Sequence, residues 1–264
     1  MPRRIPPDVY DTEYFLSHTC EGAEEFHAGR GVSALKRRQV GLLAPGPGRR
    51  VLDLGCGRGE VLLACARAGA EVCGLDYAAA AVAISRETLA DVPGAEVVQG
   101  DVTRLPWPAG HFDAVLNGDV IEHVVPEDAL RMLREVHRVL KPGGRLVVHT
   151  APNRLFLALT WPAARPLLRL AGHGETVAKL DHWIAWSKDF HVNEQSLHGL
   201  RRSLRRAGFA GPRVWIDAAI VRDGSHHTTE GLRDSRFMAA GQRLATLRAV
   251  RLFGGNDLWA VATR

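Results

Sequence analysis

The chain has 264 residues, 46% of them hydrophobic and 24% charged, with a formal net charge of +5. That size and balance suit one large α/β domain with a sizeable buried core, and they exclude a disordered or fibrous chain. Lysine supplies only four of the 34 basic residues, and the arginines are dispersed with no block of like charge. The basic balance therefore reads as coding bias rather than as a nucleic-acid tail.

Cys20, Cys56, Cys65 and Cys73 form no CxxC pair and no Cys/His metal spacing, and read as reduced thiols of a cytoplasmic protein. The opening MPRRIPPDVYDTEYF lacks the apolar core of a secretion signal. No stretch reaches the roughly eighteen apolar residues of a membrane span.

In chain order, residues 1–9 carry three prolines and read as a loose lead-in, and 10–43 as helical in patches, with Tyr14 and Phe15 adjacent and a basic stretch Lys36-Arg37-Arg38. Pro45-Gly46-Pro47-Gly48 breaks the chain, closing a first segment over 1–48 before a domain over 49–264. Strands are expected at Val51–Leu54, Glu71–Asp76, Glu96–Gln99, Phe112–Asn117 and Arg145–Thr150, with helices at Glu60–Ala68 and 78–90. A further helix opens at Pro126, with Glu127 and Asp128 at the positive end of its dipole, and stops at Lys141-Pro142-Gly143-Gly144. An insertion over 151–190 contains the apolar run LFLALTWPAARPLLRL. Then come a helix over Glu194–Ala207 with Asn193 as N-cap, strands at Val214–Ala218 and Leu258–Thr263, and a second insertion over 222–253. Strand–helix alternation implies parallel pairing with helices on both faces, and ligands at the carboxyl ends of the strands.

The polar motifs fall at those ends. Gly55-Cys56-Gly57-Arg58-Gly59 follows the first strand, with Asp53 just before it. This is GxGxG, neither the GxGxxG of a dinucleotide site nor a P-loop ending in GK[ST]. An acidic residue beside the turn would repel a pyrophosphate but suits a sulfonium amino-acid ligand with an ammonium group. Asp53 either holds the loop or binds that ammonium through water. Asp76 ends the second strand, where a carboxylate accepts from ribose hydroxyls. Asp101, after the third, is placed to accept from an adenine amino group.

These residues resemble the class I S-adenosylmethionine (SAM)-dependent methyltransferases, particularly those related to the ubiquinone and menaquinone pathways. VLDLGCGRGE is similar to their glycine motif and VCGLDYA to their ribose-binding strand end. QGDVTRLPWPAGHFDAV is similar to their adenine-side segment, with Trp107 where phenylalanine is commoner, and LNGDVIEHV and VLKPGGRLVVHTAPN extend the match to about Asn153. The resemblance implies a Rossmann-like three-layer sandwich with a mostly parallel seven-stranded sheet and one antiparallel strand near the C-terminus. It implies SAM as cofactor and S-adenosylhomocysteine as product. Gly55, Cys56, Gly57 and Gly59 would form the loop against methionine, Asp76 and Tyr77 would meet ribose and adenine, Asp101 and Val102 would hold adenine, and Asn117 would line the methionine side. An N-terminal lid over the cofactor would suit Tyr10, Tyr14 and Phe15.

Glu122 and His123 lie just past the fourth strand and are the expected catalytic pair, with His123 as general base. The alternative is that they order the loop or cap the next helix. Asp119-Val-Ile-Glu122-His123 is similar to the metal-associated ExxEH motif of some O-methyltransferases, with His191 as a further candidate ligand. Aspartate shortens the first arm, so no metal is assigned and a divalent ion is left as an option. Trp161, Trp183, Trp186, His173 and His182 in the insertion either line an acceptor site or pack the cap. Arg154, Arg165 and Arg169 beside the leucines would suit a bilayer surface, but two prolines interrupt that run. The expected substrate is a small-molecule hydroxyl: a secondary metabolite, a glycan or a quinone-like ring. RNA methylation and a non-catalytic SAM-binding module are the alternatives, and the loop spacing disfavours an NAD(P) dehydrogenase.

Overall fold

A computed structural model describes residues 4–17, 20–217, 252 and 255–264. Its elements are α1 (Thr12–Leu16), α2 (Ala23–His27), α3 (Ala34–Leu43), β1 (Arg50–Leu54), α4 (Glu60–Arg67), β2 (Glu71–Asp76), α5 (Ala79–Thr88), β3 (Glu96–Gln99) and β4 (Phe112–Gly118). They continue as α6 (Pro126–Val139), β5 (Leu140–Thr150), α7 (Trp161–Leu170), α8 (Gly174–Ser187), α9 (Leu197–Arg206), β6 (Ala210–Ile216) and β7 (Leu258–Thr263).

Among the described residues seven strands form one sheet, in the order β3-β2-β1-β4-β5-β7-β6. β1 through β5 pair in parallel, and β7 runs antiparallel to both β5 and β6. The chain is therefore the expected Rossmann-like sandwich. The order reverses beside β1, which starts the first crossover, so the ends of β1 and β4 open a crevice there.

Helices cover both faces. On one side Met132, Leu133 and Val136 of α6 and Leu200 and Leu204 of α9 are fully buried on the sheet. On the other, Val61, Leu62 and Cys65 of α4 pack with Leu43 of α3. Pro126 occupies the first turn of α6, and His137 and Arg138 its last, as the dipole favours.

Several boundaries differ from the sequence expectation. Lys141-Pro142-Gly143-Gly144 ends α6 but lies within β5, where the register with β4 shifts between Phe112 and Ala114, an irregularity that takes up the extra residues. The N-cap of α9 is Ser196, whose side chain accepts from Gly199 N, and not Asn193. Asn193 instead donates from its amide to the Ile121 carbonyl, a tertiary partner that local sequence does not reveal. β6 begins four residues before the expected Val214 and its described part ends at Ile216. The insertion after β5 is a helical cap: a π-turn over Phe156–Thr160 runs into α7, which packs on α8. The expected second insertion over 222–253 lies, apart from residue 252, outside the described residues.

Candidate active site at the strand ends

The glycine loop begins where β1 stops. Gly55 N and Cys56 N both donate to the Leu75 carbonyl, at 2.7 and 3.2 Å, turning the chain over β2. Gly55 has φ +65, and a Cβ there would lie 2.5 Å from Val120 Cγ2. Only glycine fits that position without displacement. Gly59, at φ +79, opens α4 against Ser85 of α5 and is absent from the pocket wall. Its glycine serves helix packing.

Asp76 holds the loop from β2. Its Oδ2 accepts from Gly57 N at 3.0 Å and its Oδ1 from Ala78 N at 2.9 Å. Burial raises the Asp76 pKa, while the backbone donors at Ala78, Gly57 and Tyr77 pull it down.

Two pockets meet at the strand ends. Asp76, Tyr77, Asp101 and Val102 line the first, together with Arg4 and Asp128. Arg4 binds Asp128 at 2.6 Å and Asp101 at 3.3 Å, tying the N-terminal segment across that pocket. Asp101 also accepts from the backbone and hydroxyl of Thr103 through Oδ1. Asp53, Cys56, Gly57, Lys36, Arg58 and Glu60 line one side of the second pocket. Burial pushes Asp53 well above the usual carboxylate range, Lys36 opposes this, and the Glu60 and Asp76 charges add to it. Burial would also raise Glu60, but Lys36 at 2.5 Å and Arg58 at 2.6 Å hold it below its ordinary value. The carboxylate oxygens of Glu21 are buried in the same wall with no hydrogen-bond partner among the described residues.

Tyr14, Phe15, Gly55, Asp119 and His123 line both pockets and form the waist between them. The aromatic N-terminal residues pack edge to face, Tyr10 on Tyr14 at 5.1 Å and Tyr14 on Phe15 at 5.2 Å. Asp119 has φ +56, a left-handed conformation uncommon for residues other than glycine. Its Oδ1 lies 2.8 Å from Nδ1 of the fully buried His149, whose Nε2 faces Asp257 at 3.5 Å.

The short turn Ile121–His123 is stitched to a distant segment. Val192 N and Asn193 N donate to the Glu122 carbonyl, and His123 Nδ1 lies 3.1 Å from the Phe190 carbonyl oxygen. A carbonyl only accepts, so Nδ1 carries the proton of the neutral ring and Nε2 the lone pair. The Tyr10 hydroxyl also reaches Nδ1, at 3.0 Å. Burial lowers the His123 pKa to about 4 against the opposing pull of Asp119 and Phe190, so the ring is neutral at pH 7. Burial and the adjoining His123 lower His191 to about 3. Burial and the Asp119 charge push Glu122 up, while the Thr150 hydroxyl donates to it at 2.9 Å.

The ligand-type atoms of Glu122, His123 and His191 lie within 4.8 Å of one another, close enough to share a cation. Asp119, the sequence candidate for a further arm, turns to His149 instead.

Most expected site residues thus converge, and Asn117 does not. Alternation along β4 turns its fully buried side chain to α6, where Nδ2 meets Met132 Sδ at 3.2 Å. Its neighbours Leu116 and Gly118 reach the wall instead. In the cap, Trp183 and Trp186 line the second pocket with Leu180 and His191. Trp161 packs inside the cap and donates to Asp181, while His173 and His182 stand off the wall. Sequence reasoning missed Arg4, Arg58, Glu60, His149 and Asp257. Lys36 carried a signal in its basic stretch, but Arg37 turns to the Val32 carbonyl and Arg38 to Asp217 and the Trp259 ring.

Comparison with known proteins gives the same reading. A methyltransferase-domain family matches residues 52–148. An uncharacterized methyltransferase of Synechocystis sp. is 39% identical over 137 residues, covering 51% of this chain and 60% of that protein's length. A demethylmenaquinone methyltransferase of Staphylococcus aureus is 30% identical over 176 residues, covering 63% of this chain and 70% of the relative. A SAM-dependent methyltransferase structure from Archaeoglobus fulgidus shares the fold, with a TM-score of 0.57 and 20% identity over 88% of this chain and 92% of that one. With the glycine loop, the strand order and these relatives in agreement, the chain belongs to the class I SAM-dependent methyltransferases.

Proposed function

We propose that the acceptor is a hydroxyl oxygen of a small organic molecule held in the second pocket beneath the cap, and that His123 takes its proton. The carrying observation is a neutral His123 in the waist between the pockets, with Nδ1 committed to the Phe190 carbonyl and the Nε2 lone pair left to take a proton.

The residues present fit SAM. The first pocket takes its adenosine, with Asp76 accepting from the ribose hydroxyls, Asp101 from the adenine amine, and Tyr77 and Val102 against the ring. At the other end, the buried acids Asp53 and Glu21 suit the ammonium, and Lys36 and Arg58 the carboxylate. Gly55, Cys56 and Gly57 form the backbone cradle. When bound, SAM supplies an electrophilic methyl group on a sulfonium.

The protein's part is alignment and exclusion of water. Tyr14 and Phe15 close the waist from the N-terminal segment, which we read as a lid, and Trp183 and Trp186 wall the acceptor side. With SAM bound, its methyl group would pass to the acceptor oxygen, and the C–S electron pair would stay on the sulfur of the departing thioether. The hydroxyl proton passes to His123 Nε2, and S-adenosylhomocysteine is the second product. Glu122, held protonated by burial, stabilises the turn that carries His123. The tryptophan walls, and a relative named for demethylmenaquinone, favour a flat quinone-like or other aromatic acceptor over a glycan.

The test is calorimetric titration with SAM and S-adenosylhomocysteine, with and without Mg2+. A panel of phenols, hydroquinones and sugars is then scored for methylated product. Methyl on oxygen, formed without Mg2+ and lost in His123→Ala, supports the reading. Methyl found on carbon or nitrogen would overturn the acceptor assignment, and a strict Mg2+ requirement would replace the base with a metal at Glu122, His123 and His191.

A further inference from the structure

We propose that α7, the outer helix of the cap, is an interfacial helix that docks the protein onto anionic lipid bilayers. Among the described residues five large hydrophobic side chains are exposed, and three of them lie here: Leu167 at 61% and Leu170 at 86% on α7, and Leu159 at 54% on the π-turn that leads into it. A single exposed leucine needs no explanation, but a contiguous row does.

The row has helical spacing. Ala163, Pro166, Leu167 and Leu170 recur at i, i+3, i+4 and i+7, which lines one side of α7, and Leu159 stands exposed on the turn just before it. The opposite side is already used, since Trp161 and Leu168 are buried against Val177, Leu180 and Ile184 of α8. The segment is therefore apolar on both faces, one packed and one bare. The prolines do not break it. Pro162 stands in the first turn of α7, where its missing N–H costs nothing, and the helix continues through Pro166. Their rings add to the apolar row.

Charge selects the partner. Arg165 and Arg169 flank the row at i, i+4 spacing with side chains 48% and 53% exposed. They share the single carboxylate of Asp181, so the edge keeps a net positive charge. An apolar face rimmed by arginines matches the boundary between acyl chains and anionic headgroups. Among the described residues no helix is long and apolar enough to cross a membrane, so α7 would lie in the surface plane.

Docking also bears on the active site. Leu180 packs in the cap core beneath α7 and lines the second pocket beside Trp183. The bilayer and the acceptor pocket thus lie on two sides of one thin cap, as suits an acceptor drawn from the lipid phase. That consequence rests on the acceptor reading above; the docking itself does not.

The full chain would be floated with vesicles of equimolar phosphatidylglycerol and phosphatidylcholine, and with phosphatidylcholine alone. We expect binding to the anionic vesicles that weakens with salt, and little binding to the neutral ones. Leu167→Ser with Leu170→Ser should lower that binding on the order of tenfold or more with SAM affinity retained. Arg169→Gln should weaken it on anionic vesicles only. The proposal falls if wild-type protein ignores anionic vesicles, or if the double leucine variant binds them undiminished. It also falls if those leucines hold a dimer in solution, which would give the face to a second copy.

Discussion

Replacing Asp76 by alanine tests the cofactor geometry most directly. The carboxylate is buried at the end of β2, with one oxygen on Gly57 N at 3.0 Å and the other on Ala78 N at 2.9 Å. Each oxygen keeps a lone pair for the pocket, so in the complex it would serve loop and ribose together. A hydrogen bond to a charged acceptor contributes about 1.5–3 kcal/mol, and losing the pair to ribose sets the upper scale. Relief of the buried charge, whose desolvation raises the Asp76 pKa, offsets part of that. A net loss of about 1.5–3 kcal/mol follows, or about ten- to a hundredfold in Kd for SAM. Asp76→Asn keeps one acceptor and should fall between. Calorimetric titration with SAM reads the effect, and circular dichroism confirms that the variants fold, since two loop amides also lose their partner. A folded Asp76→Ala protein with wild-type affinity would remove the ribose from β2 and refute the cofactor placement.

Four further outcomes are expected. His123→Ala should lower kcat by about a hundredfold or more with SAM affinity retained, and in the wild type the acid limb of kcat/KM should lie near pH 4, well below that of a free histidine. Near-normal turnover would return His123 to a loop-ordering role. Glu122 has a raised pKa, so the folded state keeps its proton after the unfolded state has released it; its contribution to stability is fully present at low pH and is lost as pH rises above the ordinary carboxyl range. Glu122→Gln, which stays neutral and can still accept from Thr150, should flatten that alkaline decline in thermal melts, and an unchanged slope would refute the assignment. Gly55→Ala should abolish tight SAM binding through its contact with Val120; adding Val120→Ala should recover part but not all of it, because the positive φ remains. Removing residues 1–15 takes away Arg4, Tyr10, Tyr14 and Phe15 and should weaken SAM binding by about tenfold or more; unchanged affinity would end the lid reading.

What could be read from the amino-acid sequence was whatever local backbone chemistry dictates. The apolar strands β1 to β5, the glycine turn, the proline-opened α6 and the acids at the strand ends each depend on neighbours within a few residues. Parallel order then follows from strand–helix alternation, so the crevice and its Asp53, Asp76 and Asp101 lining were legible. Tertiary packing decided the rest. Asn117 points to α6 because pleating sets its side, and the motif match alone does not report which face is which. His191 meets His123 only because the chain after the cap bonds back onto the Glu122 carbonyl. Arg4 reaches Asp101 and Asp128, and His149 reaches Asp119 and Asp257, across separations for which local pattern carries no signal. The sequence of α7 announces an apolar segment, but which side is bare depends on where α8 packs, and that is a property of the folded cap alone.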